Sequence, residues 1–499
     1  MTGAAAQDGA ARFAALGWPA RLAGGLCAAL WLADLLVAPT LGIGWIDSWH
    51  NEQRAIEIVL LSLTPLLLAV ALCDPLFRAR LPPVHWTVPA FFALGVASAA
   101  SARHAGAADA EVALHLLLLL LLLFSAGICA ADPPAALRWL RRAARLLLAV
   151  YVAGVAVRYA AAVAIGQPLD QFVLLLGYAN IRHPSALHAL LIPLAATWDA
   201  DGEPSPLART ANWSLLACVW AINLALGTRA IWFAFAIGFA LLWPLLGRRA
   251  IAPLVRVLAG TAAAGVVLYV LVFKFLPVWI GIGETFAARD LDQLAWGSNR
   301  ELLLRSSWEA IRAAPWLGIG PMQFAAIPGV WAAHPHDWIL QVASEWGLPA
   351  LLLLLAGMLG FFWRALRLYS RLPAQGPAPA PADLATLLVV GTVALVYGLV
   401  DGSLVMPISQ SAAAILLGTL LGFVSAADPA APPAAGGKRV ARVRMGLAAI
   451  LTAVAIVELG RYAIDTLPAA TASEDAQHFV QTRVLWPRFW SDGLLPVEP

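Results

Sequence analysis

Charge is scarce in this chain. Only 12% of its 499 residues are charged, against 61% hydrophobic, and the mean hydropathy is +0.79. Soluble globular proteins carry about 25% charged residues. A set of soluble domains is therefore excluded, and a polytopic helical membrane protein is indicated. Cysteine is scarcer still: Cys27, Cys73, Cys129 and Cys218 lie in or beside apolar runs, with no CxxC spacing. That favours neither a disulfide framework nor a zinc site and leaves them as packing residues. The net charge of +3 is too small to suggest a nucleic-acid partner. No internal repeat is visible. The first apolar run, Leu22 to Leu41, follows Arg12 and Arg21, lacks an A-x-A exit and is long for a signal segment. It reads as a retained first helix.

Apolar runs of span length are what the chain has in abundance. They fall near 22–41, 55–73, 87–102, 112–131, 146–165, 184–198, 211–227, 230–246, 251–274, 338–363, 385–401, 404–424 and 445–464. The expected fold is all-α: one membrane domain over 1–499, a polytopic transmembrane helical bundle of about 12–13 spans. Every second connection is basic: Arg78 and Arg80; Arg138, Arg141, Arg142 and Arg145; Arg248, Arg249 and Arg256; Arg364, Arg367 and Arg371; Lys438, Arg439, Arg442 and Arg444. By the positive-inside rule these connections and the N-terminus face the cytoplasm. The Pro/Ala-rich stretches 373–383 and 427–439 then read as cytoplasmic linkers. A long loop, 275–337, and a tail, 465–499, of about one helix plus a Trp/Pro-rich end, fall on the opposite side.

The stretch from Ser298 to Leu355 breaks the apolar pattern with Arg300, Arg305, Glu309, Arg312, His334, His336, Asp337 and Glu345. Asp337 is a natural N-cap for a helix beginning there. His336, at that helix's positive end, is kept from becoming imidazolium, and a neutral imidazole is what a general base needs. Gln341 and Glu345 share a helix face. Arg229 sits between two apolar runs with almost no loop, either as a snorkelling anchor or as a guanidinium set for an anion such as phosphate. Arg182, Arg300 and Arg305 are further candidates for such an anion, although for the loop residues Arg300 and Arg305 a solvated surface arginine is the default reading. His334 and His336, two apart and without a third ligand, are a weak metal signal, so no metal and no cofactor is expected. Trp279, Trp296, Trp308, Trp316, Trp331 and Trp338 read as an aromatic interface belt, or as flat faces for a sugar chain. The acids Asp47, Glu52, Glu57, Asp109, Glu111, Glu284, Asp290, Asp292 and Asp401 are too dispersed to assign.

The run RELLLRSSWEAIRAAPWLGIG from Arg300, followed by HDWILQVASEWGLPA from His336, resembles the O-antigen ligase / O-antigen polymerase superfamily of bacterial inner-membrane proteins, which includes protein O-oligosaccharyltransferases. Pro315, Gly318, Gly320, His336, Leu340, Gln341, Glu345 and Gly347 match its pattern, and Gly227-Thr228-Arg229 looks like its earlier arginine. Asp337 and Ala350 depart from it. Asp337 brings a charge that could raise the basicity of the histidine. The likeness covers roughly 170–365.

The resemblance implies a transferase that takes a glycan from an undecaprenyl-diphosphate carrier to an acceptor hydroxyl on the periplasmic side. Arg229 and Arg300, with Arg182 and Arg305, would hold the diphosphate. His336 and Glu345 would be the catalytic residues, His336 orienting or deprotonating the acceptor, positioned by Glu345, Gln341 or Asp337. Ligase-type transfer to the lipid A–core is the expectation; a growing glycan or a protein are the alternative acceptors. A transporter of lipid-linked sugars is the reading from another class.

Overall fold

The computed structural model describes residues 16–41, 49–167, 171–178, 180–198, 204–283, 300–330, 332–372, 381–427, 438–471 and 488–490. Regular structure there is entirely helical. Among the described residues, eight helices are long and apolar enough to cross a membrane. They are α1 (Trp18–Leu41), α2 (Trp49–Leu72), α5 (Ala105–Ala131), α6 (Pro133–Ala164), α10 (Arg248–Leu268, continuing through a π-helical turn to Trp279), α13 (Leu348–Arg371), α14 (Pro381–Gly398) and α15 (Pro407–Ala427). Two shorter apolar helices are α4 (Thr87–Ala100) and α9 (Ala230–Leu246). The remaining helices are α3 (Pro75–Arg80), α7 (Arg182–Ala195), α8 (Pro206–Ala225), α11 (Arg300–Ala313), α12 (Trp338–Glu345) and α16 (Lys438–Thr471).

Each expected apolar run is helical, but 338–363 is two helices. Gly347, at φ +89°, ends α12, and Pro349 lies in the first turn of α13. The expected loop 275–337 contains α11 and a 3-10 turn at Gln323–Ala326; its part 284–299 lies outside the described residues, with Trp296, Glu284, Asp290 and Asp292. Trp331 and Asp47 lie outside them too. So do 373–380 and 428–437 of the two linkers; 381–383 open α14, and Lys438 opens α16. The tail stays helical to Thr471, and 472–487 and 491–499 are outside the described residues.

Local chemistry sets several helix starts. Asp74, Asp132 and Ser205 each precede a proline and accept the N–H of Leu76, Ala135 and Ala208 at 2.8, 3.1 and 3.2 Å. The side chain satisfies an orphan donor, and proline fits the first turn because its missing N–H is not needed there. Among the described helices, α5 and α15 pack against each other most extensively. Gly418 and Gly422, four apart on α15, lie so close to α5 that a Cβ on either would overlap the Leu122 or Ala126 carbonyl. Small residues at this spacing bring helix backbones together where lipid offers no hydrophobic drive. At the other end of α14, Asp383 pairs with Arg141 of α6 at 2.5 Å, both side chains buried. A buried pair of this kind costs about 3–5 kcal/mol when one partner is removed.

Candidate active site

Four helix ends and one irregular segment converge. Arg182 opens α7, its N–H bonded to Asn180 Oδ1 at 3.1 Å and its carbonyl accepting the Tyr397 hydroxyl of α14 at 3.3 Å. Arg229 is the residue ahead of α9, after a turn in which Gly227 takes φ +66°. That turn is tied to α7: the Ser185 and Thr228 hydroxyls lie 2.5 Å apart, and Ser185 also bonds Asn223 of α8. Arg300 opens α11 and donates to the Val400 carbonyl at 2.6 Å. Asp401 follows in the turn between α14 and α15. Its Oδ1 lies 3.7 Å from Nδ1 of His336.

His336 has a left-handed backbone, φ +57°. For a residue other than glycine that conformation is strained and persists only where the surroundings enforce it. Its N–H donates to His334 Nδ1 at 3.2 Å, so the His334 proton sits on Nε2, and the two rings lie 4.2 Å apart at 74°. Gly402 is required beside them, since a Cβ there would enter the His334 ring. Asp337 caps α12 as expected, Oδ1 accepting from Ile339 and Leu340 at 2.8 and 3.1 Å. Its carboxylate is thus engaged with the helix, and the one facing the imidazole is Asp401, one of the acids too dispersed in sequence to assign.

Burial, then His334, Arg182 and Arg300, hold His336 well below the ordinary histidine range. Burial lowers His334 to about 3, helped by Arg488 and Arg182. Both imidazoles are therefore neutral near pH 7. Burial raises Asp401 above the usual carboxylate range, although Arg182, the Gly402 N–H and Arg300 pull the other way. Desolvation lowers the Arg300 guanidinium, and Arg182 and Arg229 lower it further by like-charge repulsion. Three guanidinium groups within electrostatic reach of one another make a region that favours an anion.

The remaining candidates fall elsewhere. Arg305 is on the exposed face of α11, its side chain 76% accessible and paired with Glu309 at 2.9 Å; it does not join the cluster. Gln341 is buried on α12. Glu345 is fully buried and held by Arg488 at 2.6 and 2.7 Å and by the Phe324 N–H at 2.9 Å. A carboxylate so occupied is not placed to take a proton from a substrate. Arg488 and Glu111 complete that network; Glu111 is one of the acids too dispersed in sequence to assign, and an arginine in a Trp/Pro-rich tail carries no signal of its partners. Trp279, Trp308 and Trp316 are exposed, whereas Trp338 donates Nε1–H to Leu395 O at 3.1 Å.

The spaced glycines have a mechanical cause. The segment Pro315–Gly320 lies across the α12–α13 corner, with Ile319 N to Ser344 O at 2.8 Å, Gly320 N to Glu345 O at 3.0 Å and Leu348 N to Pro315 O at 2.9 Å. A Cβ at Gly318 would overlap the Glu345 carbonyl, and one at Gly347 the Trp316 carbonyl. Only glycine lets the two backbones touch here.

A comparison with curated proteins gives no match. Residues 213–355, from α8 through the first turns of α13, match the family described as O-Antigen ligase. Arg229, Arg300, His336 and the interlocked glycines lie inside that match, so residues 213–355 form an O-antigen ligase family domain of a multi-pass membrane protein whose described residues show only helical regular structure.

Proposed function

We propose that the protein transfers a glycan from an undecaprenyl-diphosphate carrier to an acceptor hydroxyl at the periplasmic face of a bacterial inner membrane, most closely as an O-antigen ligase acting on the lipid A–core. The observation that carries this reading is the meeting of Arg182, Arg229 and Arg300 with a neutral, conformationally held His336 beside Asp401. In this scheme the guanidiniums bind the diphosphate and take up the charge that develops as the anomeric C–O bond breaks. His336 accepts the proton of the attacking hydroxyl as the new C–O bond forms, and Asp401 stabilises the imidazolium produced. The proton then passes to solvent, and the lipid diphosphate leaves. The alternation of basic connections supports the periplasmic placement. A polymerase and a protein O-oligosaccharyltransferase share this chemistry and differ in acceptor. A flippase would use the arginines as a pathway.

Glycan profiling tests the reading in a deletion strain complemented with wild type, His336→Ala or Arg229→Ala. Loss of long-chain glycan from lipid A, with lipid-linked polymer accumulating, establishes a ligase. Single-repeat lipopolysaccharide identifies a polymerase, and lost glycoprotein staining with normal lipopolysaccharide an oligosaccharyltransferase. Full complementation by both variants overturns the catalytic assignment.

A further inference from the structure

We propose that Arg488 and Phe489 form an internal clasp that sets the separation of His336 and Asp401, with Arg488 as a positioning residue. The catalytic consequence rests on the transfer reading above; the clasp itself does not. Arg488 is 1% exposed. One of its terminal nitrogens donates to Glu345 Oε1 at 2.7 Å and to the Ala333 carbonyl at 2.9 Å. The other donates to Glu345 Oε2 at 2.6 Å and to Glu111 Oε1 of α5 at 2.9 Å. One guanidinium thereby joins α5, α12 and the segment three residues ahead of His336. The fork suits this task because it meets a carboxylate with two parallel bonds and still has donors left.

The tail is gripped from the other side by Arg54 of α2. Its Nε donates to Phe489 O at 3.1 Å, and one terminal nitrogen donates to Arg488 O at 2.9 Å and to Val405 O at 2.8 Å. His50 Nε2 lies 3.2 Å from the same Phe489 carbonyl. Val405 belongs to the turn that carries Asp401. The segments bearing His336 and Asp401 are thus each referenced to residues 488–489, one through Arg488 and the other through Arg54. Trp490 fixes the third point, donating to Thr466 Oγ1 of α16 at 2.7 Å. The cavity among Arg54, Glu111, His115, Gln410 and Arg488 is about 10 Å³, room for one water at most and none for a sugar. Arg488 therefore acts on the site through the backbone and not through substrate.

The test uses full-length protein in lipid nanodiscs. Arg488→Met combined with Glu111→Gln and Glu345→Gln removes the buried Arg488–Glu111–Glu345 set together, which proteins tolerate far better than the loss of one partner. Arg488→Lys keeps the charge and loses the fork, and it carries the same readings should the neutral variant not fold. Two quantities are measured: hydrogen–deuterium exchange over 332–337 and 399–406, and steady-state transfer from an undecaprenyl-diphosphate-linked repeat unit to lipid A–core. The expected result is exchange faster by about tenfold or more in both segments. With it, kcat should fall by about 10²-fold and KM for the donor stay within about twofold, since misplacement acts on the chemical step. A folded neutral variant that exchanges and turns over like wild type overturns the proposal. If wild type itself transfers nothing, the transfer reading fails while exchange still decides the clasp: faster exchange upholds it, and unchanged exchange sinks it.

Discussion

His336 Nδ1 stands 3.7 Å from Asp401 Oδ1, across the gap between the segment before α12 and the turn after α14. That is longer than a hydrogen bond and short enough for strong charge coupling once the ring carries a proton. In the resting state the imidazole is neutral and the carboxylate holds it only loosely. During transfer the same pair becomes imidazolium and carboxylate, so its attraction grows where catalysis needs it.

Relief of the left-handed backbone gives the first prediction. His336→Gly should be more stable than His336→Ala by about 1 kcal/mol, because both lose the buried ring and glycine alone adopts φ +57° without steric penalty. The same variant should lose transfer by about 10²–10⁴-fold, the usual worth of a general base. Thermal unfolding in detergent and product formation, measured on one preparation, check both halves.

The buried histidines make stability depend on pH. His334 is lowered from 6.5 to about 3, and His336 is lowered as well. The unfolded chain binds these protons near 6.5 and the folded chain does not, so stability is fully present above pH 6.5 and drains away as the pH falls toward 3. The slope approaches about 1.4 kcal/mol per pH unit for each histidine. The thermal midpoint between pH 7.5 and 5 should fall for wild type and fall less steeply for His334→Asn.

The arginines should separate cleanly. Arg300→Ala should weaken binding of a lipid diphosphate by about 10–100-fold, the loss of one charge-assisted contact. Arg305→Ala should change it by less than about twofold, since that side chain is exposed and engaged with Glu309. Titration of undecaprenyl diphosphate into the purified variants measures the difference.

Glycine substitutions should scale with what a Cβ meets. Gly318→Ala adds overlap with the Glu345 backbone to the strain of φ +73°, and should cost about 2–4 kcal/mol. Gly329 has φ +75° and open space around it, so Gly329→Ala should cost only about 1 kcal/mol. Equal shifts in thermal midpoint for the two would contradict the interlocked corner.

The helices were legible because apolar runs of span length have few other outcomes in a chain this poor in charge. The Asp337 cap was legible because capping is decided within three residues. The break at Gly347 had a readable mark, a glycine followed closely by Pro349, but the apolar run carried straight across it. Asp401 and Arg488 were not legible, because their roles depend on elements far along the chain. Arg305 had the right chemistry at the wrong angle: five residues, or about 500° of helix, separate it from Arg300, which puts it on another face.

The bond between Arg488 and Glu111 spans 377 positions of sequence. At about 5–20 residues per second, the ribosome needs roughly 20–75 s to cover that distance. For that interval α5 exists with its acid and without the base that will answer it. Glu111 lies in the second turn of α5, close to the helix end, where an unpaired carboxylate costs less than at the middle of a span. The depth at which the pair finally sits is thus bounded by what the helix can tolerate alone, before its partner has been made.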